Sequence, residues 1–217
     1  KKYQPRMKIG LFGGTFDPPH IGHIELAASL LEQTGLDKIW FLVTPQNPWK
    51  QGRALSSDHH RYAMVDISLR EKPGLEASDY EFGMPKPTYT YKTLRSLRSS
   101  FPDVTFALII GGDNWASFDK WAEYEEILHN HPVIVYPRPG CPVETPEAVR
   151  QIIAENSAPD TILPHIEIAE GKVYDISSTE IRRKVAQGAS IDGLVMPGVE
   201  TYINDYALYA ETKQHKV

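Results

Sequence analysis

Two histidines three residues apart, His20 and His23, follow a glycine-rich stretch that reads Gly13-Gly14-Thr15-Phe16-Asp17-Pro18-Pro19. On a helix that spacing turns both imidazoles toward one side, where their N–H groups can donate to phosphoryl oxygens. The glycines ahead of them let backbone N–H groups approach an anion, and a helix opening near His20 adds the positive end of its dipole. The chemistry that suits these residues is phosphate binding. The stretch is not a P-loop, which ends in Gly-Lys-Ser/Thr, nor the dinucleotide fingerprint Gly-x-Gly-x-x-Gly. Two histidines on one helix face also suit zinc, but no third ligand is evident and no general-base glutamate stands between them. A purely structural pair is the plainer alternative.

Three further groups of residues carry potential chemistry. Ser177, Ser178 and Thr179 place hydroxyls at the start of a helix with Arg182 one turn in, which again suits phosphate; the plain alternative is an N-cap followed by surface arginines, as Arg183 is read. Thr44-Pro45-Gln46-Asn47-Pro48-Trp49-Lys50 follows a strand, so Lys50 can swing over the strand ends as a mobile cation, or the segment is simply a proline-stiffened loop. Pro87-Thr88-Tyr89-Thr90-Tyr91 and Lys120-Trp121 could stack on and hydrogen-bond a planar aromatic acid, and Asp113 in Gly111-Gly112-Asp113-Asn114 suits a ribose hydroxyl. Trp121 also reads as a helix residue packed on the core.

These residues need elements to position them, and the hydrophobic period supplies them. Lys8 to Phe12, Ile39 to Val43, Thr105 to Ile110 and Pro132 to Tyr136 read as buried strands, with Ile162 to Ala169 as an edge strand. Helices are expected at Ile21 to Gln33, Ser57 to Leu69, Lys120 to Leu128, Thr145 to Asn156 with Thr145 as cap and Pro146 first, Thr179 to Gln187, and Val199 to Tyr209. Pro73 to Pro87 reads as a long connection. Alternating strands and helices imply an α/β, doubly wound and mostly parallel sheet flanked by helices, which binds ligands at the carboxyl ends of its strands. Functional residues are therefore expected where strands end.

Composition narrows the classes. With 217 residues, 41% hydrophobic, the chain is long enough for one core, read here as a single domain over 1–217 with a core of about 8–175 and a short helical part at about 176–210. A formal net charge of −5, with no long basic block, argues against a nucleic-acid partner. No apolar run approaches a membrane span, and no signal core follows the basic start. The lone Cys141 excludes an internal disulfide and fits a reducing, cytoplasmic setting. Homo-oligomer formation is left open.

Gly13-Gly14-Thr15-Phe16-Asp17-Pro18-Pro19-His20-Ile21-Gly22-His23 resembles the signature of the nucleotidyltransferase superfamily, and its Gly-Gly-Thr-Phe-Asp-Pro start is similar to that of the bacterial nicotinate-nucleotide adenylyltransferases. Ile176-Ser177-Ser178-Thr179-Glu180-Ile181-Arg182 resembles the superfamily's second motif, and the similarity runs from about Lys8 to Tyr209. The resemblance implies a Rossmann-like nucleotidyltransferase fold and AMP transfer from ATP to nicotinate mononucleotide in NAD synthesis. It implies catalytic roles for His20, His23, Lys50 and Arg182, and an ATP site of Gly13, Gly14, Thr15, Phe16, His20, His23, Ser177, Ser178, Thr179 and Arg182. A mononucleotide site of Tyr89, Thr90, Gly111, Asp113, Trp121 and Arg138 is implied as well, with Trp121 on the pyridine ring. Mg²⁺ is expected with the ATP, without dedicated protein ligands. Residue types leave open a dual-specific or nicotinamide-mononucleotide-preferring enzyme, a phosphopantetheine adenylyltransferase or cytidylyltransferase, and a noncatalytic nucleotide-binding module.

Overall fold

The computed structural model describes residues 6–46, 52–161 and 163–211. The first apolar run forms β1 (Met7–Gly14), and α1 (Ile21–Gln33) follows, burying Gly22, Ile24, Ala27 and Leu30 on one side. β2 (Lys38–Val43) and α2 (Asp58–Leu69) repeat the unit, with the Ser57 hydroxyl accepting from the His60 N–H to cap α2. Then come β3 (Leu75–Ser78), a 3-10 turn over Tyr80–Gly83, and α3 (Thr90–Ser100). β4 (Val104–Gly111) leads into the short α4 (Gly112–Trp115), a second 3-10 turn at Phe118–Lys120, and α5 (Tyr124–Asn130). β5 (Val133–Tyr136), α6 (Glu147–Glu155) and β6 (Ile166–Ile168) complete the sheet, and α7 (Ser178–Ala186) and α8 (Val199–Asp205) follow.

Every pairing in the six-stranded sheet is parallel, in the order β3-β2-β1-β4-β5-β6. The chain winds outward from β1 in one direction and from β4 in the other, so a crevice opens where β1 and β4 end. The two faces are legible in the period of the strands. Phe106, Leu108 and Ile110 of β4 join Leu94 and Leu97 of α3 on one face, whereas Ala107 and Ile109 join Ile24 and Leu30 of α1 on the other. Each such fully buried Leu or Ile contributes roughly 1.5–3 kcal/mol. A third apolar cluster, Met64, Ile181, Val195, Val199 and Ile203, fastens α7 and α8 to α2.

Several expectations need correction. The long connection from Pro73 contains β3, and α3 follows directly on Tyr89. The helix expected from Lys120 begins at Tyr124, because Glu123 adopts a left-handed φ of 52° that ends the preceding turn. Thr145 does not cap α6: Pro146 holds that position, and the Thr145 hydroxyl accepts from Trp115 Nε1 at 3.1 Å. The last helix stops at Asp205, and the chain turns back so that Tyr209, at φ 62°, points into the molecule.

Candidate active site

The first cavity, about 230 Å³, opens where β1, β4 and β5 end, and His20, His23, Arg138 and Ser178 face it. His20 is the N-cap of α1, and its backbone N–H donates to His23 Nδ1 at 3.1 Å. Because Nδ1 accepts, the proton of a neutral His23 must sit on Nε2, which is then a donor. The two rings stack, with centroids 3.6 Å apart and planes 23° apart. Stacked faces do not converge on a point as two metal ligands must, and among the described residues no group of three or more His, Cys, Asp or Glu side chains is placed to hold a metal.

Burial, and then the nearby Arg138, lowers His20 to a pKa of about 4; burial, then His20 and Arg138, holds His23 well below the usual range. Both are therefore neutral hydrogen-bonding groups at pH 7, and His20 Nδ1 is buried without a partner among the described residues. Gly22 makes the stack possible: a Cβ there would lie 3.0 Å from His20 Cε1 and 3.1 Å from Tyr174 Cβ. Beneath the pair, Phe16 takes a left-handed φ of 47° and turns its ring edge-on to His23 at 5.1 Å, leaving Gly14 no room for a side chain.

The second motif reaches this turn from across the chain. Ser177 caps α7 by accepting from the Glu180 N–H, and Ser178 Oγ donates to the Pro18 carbonyl at 2.8 Å. Arg182 Nη1 donates to the Asp17 carbonyl at 2.8 Å, and Nη2 donates to the Thr179 hydroxyl at 3.1 Å. Arg182 thus sits at the back of the glycine-rich turn rather than on the cavity wall. Lys50 lies outside the described residues.

A second cavity, about 420 Å³, lies on the other side of the same turn. Thr90, Gly111 and Trp121 line it, and Tyr89 edges a shallow groove beside Trp121. Asp113 and Arg138, grouped with these by sequence, stand instead on the first cavity, 3.7 Å apart as a partly exposed ion pair. Gly13, Gly14, Thr15, Asn114 and Tyr136 face both cavities and form their common wall. Trp121 is half-buried against Phe118, with ring centroids 5.2 Å apart, so one part of its indole packs while the rest faces the cavity. The N-terminus of α3 carries no side-chain cap and no acidic residue in its first turn. The buried Glu81 carboxyl nevertheless lies against this helix start, held by the hydroxyls of Thr88 and Thr93.

Other residues at the site carried no sequence signal. Arg61 is fully buried in α2 and donates to the carbonyls of Ser56, Thr15 and Thr44 and, at 2.5 Å, to Asp58, tying the ends of β1 and β2 to α2. Glu81, also buried, accepts from Thr93 at 2.9 Å and Thr88 at 3.2 Å; burial outweighs these bonds and pushes its carboxyl up. Lys172 lines the first cavity from the segment before α7.

A parallel sheet whose switch point carries a glycine turn, a histidine pair and a capped serine helix defines a nucleotidyltransferase site. The cytidylyltransferase-like family matches residues 11–184. A probable nicotinate-nucleotide adenylyltransferase of Bacteroides thetaiotaomicron is 39% identical over 201 residues, 93% of each chain. One of Flavobacterium psychrophilum, likewise described as probable, is 39% identical over 94% of this chain and 99% of its own. The nicotinic acid mononucleotide adenylyltransferase of Plasmodium falciparum, solved in complex with NaAD, shares the fold at a TM-score of 0.73 and 21% identity, over 94% of this chain and 97% of that one. The chain belongs to the nicotinate-nucleotide adenylyltransferase family. No described helix is long and apolar enough to cross a membrane.

Proposed function

We propose that the protein transfers AMP from ATP to nicotinate mononucleotide, giving nicotinate adenine dinucleotide and pyrophosphate. The observation that carries this reading is the common wall: one cavity built for phosphate and one with an exposed indole meet at Gly13, Gly14 and Thr15. Two nucleotides bound on either side would present their phosphates to each other across that turn. The mononucleotide 5′-phosphate is already anionic, so no general base is needed. One of its oxygens attacks the α-phosphorus of ATP, the bond from that phosphorus to the β-phosphate oxygen breaks, and pyrophosphate leaves.

His20 and His23 serve as neutral donors to the oxygens on which charge builds, fixed in place before the reaction by the capping bond and the stack. Arg138 and Lys172 neutralise the incoming anions, and Ser178 with the N-terminus of α7 closes the far side. Arg182 takes the phosphates that extend past the cavity. Mg²⁺ bound with ATP would neutralise its triphosphate; among the described residues no carboxylate cluster is placed to hold it, so phosphate oxygens and water would supply its ligands. In the second cavity Trp121 stacks on the pyridine ring. The preference for the acid over the amide is drawn from the relatives, whose names give the nicotinate form. Pyrophosphate release that requires both ATP and nicotinate mononucleotide is the expected result; release without the mononucleotide, or none with both, would overturn the reading.

A further inference from the structure

Asp17 stands three residues before His20, and its carboxylate is 1% exposed. Tyr209 O–H donates to Oδ1 at 2.5 Å, while Arg53 Nη2 at 2.5 Å and the Ser56 N–H at 3.2 Å donate to Oδ2. Burial alone would push this carboxyl up, but the Tyr209, Arg53 and Ser56 bonds outweigh it and hold it below the ordinary carboxylate range. Asp17 is therefore ionised, and its two oxygens are served by different segments. Tyr209 comes from 192 residues away, beyond α8, and the Ser56 hydroxyl bonds both it and the carboxylate.

The same residue holds Arg182 by its main-chain carbonyl, so a guanidinium lies next to a buried carboxylate without bonding to it. Arg182 feels the charges of both Arg53 and Asp17. If Oδ1 lost its Tyr209 donor, Arg182 is the charged group poised to compete with Arg53 and Ser56 for it, since a buried carboxylate oxygen left unpaired is costly and a charge-assisted bond is the best remedy. Arg182 captured in this way would be neutralised and turned away from phosphate.

Resting on the transferase reading above, we propose that the Tyr209 hydroxyl is a positioning group for the phosphate site: by saturating Asp17 it leaves Arg182 available to the triphosphate of ATP. The segment after α8 is thereby part of the nucleotide site, not merely a closing strap. Tyr209→Phe is the sharpest probe because it deletes only the O–H; the ring, which packs against the cluster of Val195, Val199 and Ile203, is retained.

Calorimetric titration with ATP, and separately with nicotinate mononucleotide, would be run on the wild-type chain, Y209F, D17N and the double variant. Y209F should weaken ATP binding about tenfold, the size of one charge-assisted hydrogen bond. Mononucleotide affinity should stay within about twofold, since its cavity lies across the turn. In the D17N background, with no carboxylate to capture Arg182, adding Y209F should have little further effect. Unchanged ATP affinity in Y209F, equal loss for both ligands, or full additivity with D17N would overturn the proposal. Should D17N fail to fold, the Y209F titrations decide alone. A wild-type chain that binds ATP but releases no pyrophosphate would sink the transferase reading and leave the Tyr209 result standing by itself.

Discussion

The two cavities share a wall yet are assembled in different ways. The phosphate side is built around one contiguous stretch, Gly13 to His23, which Ser178 and Arg182 reach through the carbonyls of Pro18 and Asp17 and which the ends of β4 and β5 and the segment at Lys172 complete. The other side gathers Glu81, Thr88, Thr90 and Trp121 from three separate segments around β3, the start of α3 and the turn before α5. Phosphate is a small, symmetric anion that a glycine turn and a helix end can hold by local geometry. A planar base needs surfaces that converge only in the folded chain. The contrast predicts that damage on the two sides will separate in kinetics and in stability.

Acid should expose the largest difference. His20 is held at about 4, against 6.5 when free, so the unfolded chain takes up a proton that the folded chain refuses between those values. Stability should therefore fall as pH drops from about 6.5 to about 4, by on the order of 3 kcal/mol from this residue alone. His131, also near 4 but remote from both cavities, adds to the same slope. Saturating ATP should flatten the His20 and His23 share by favouring their protonated forms, whereas the mononucleotide should not. Thermal melts at stepped pH, with and without each ligand, check this; an ATP-independent slope would detach the histidine pair from the phosphate site.

A pair of variants separates the cavities next. His23→Ala should lower kcat by about 100-fold, the scale of losing one preorganised donor. Trp121→Ala should raise the KM for the mononucleotide about tenfold through lost stacking and buried area, with the KM for ATP little changed. Initial rates with each substrate varied in turn check both. A Trp121→Ala enzyme that loses both substrates equally would make the indole a core residue and remove the contrast.

The contrast also explains what could be read in advance. The bounds of α1 follow from the apolar period from Ile21 to Gln33, read as a stripe of Ile21, Ile24, Ala28 and Leu31 although the buried side carries Ile24, Ala27 and Leu30, and β1, β2 and β4 follow from runs too apolar to be anything but buried. The approach of α7 to the first motif was implied only by the resemblance; the contacts through Pro18 and Asp17 are tertiary. α3 went unread because its apolar stripe is thin, resting on Leu94 and Leu97 amid serines, threonines and arginines. The break at Glu123 is a backbone conformation with no residue signal, since a left-handed glutamate looks like any other. Arg61 looks like a surface charge in sequence and Asp17 like one more residue of the glycine-rich turn, and only their burial shows that each gathers several segments. Asp113 and Arg138 are near neighbours in space, but which cavity they face depends on how β4 and β5 end.

The acid preference of the second cavity is the most exposed part of the account, because it rests on the chain's relatives while the cavity itself already holds the buried Glu81 carboxyl beside the start of α3. Its direct test is kcat/KM for nicotinate mononucleotide and for nicotinamide mononucleotide, measured by pyrophosphate release on the same enzyme with saturating ATP and Mg²⁺. A preference for the acid of about 100-fold or more is predicted, as expected when a site built for a charged partner meets a neutral one. Equal use of the two would contradict the account, leaving the phosphate cavity intact and the base-reading cavity without the selectivity assigned to it.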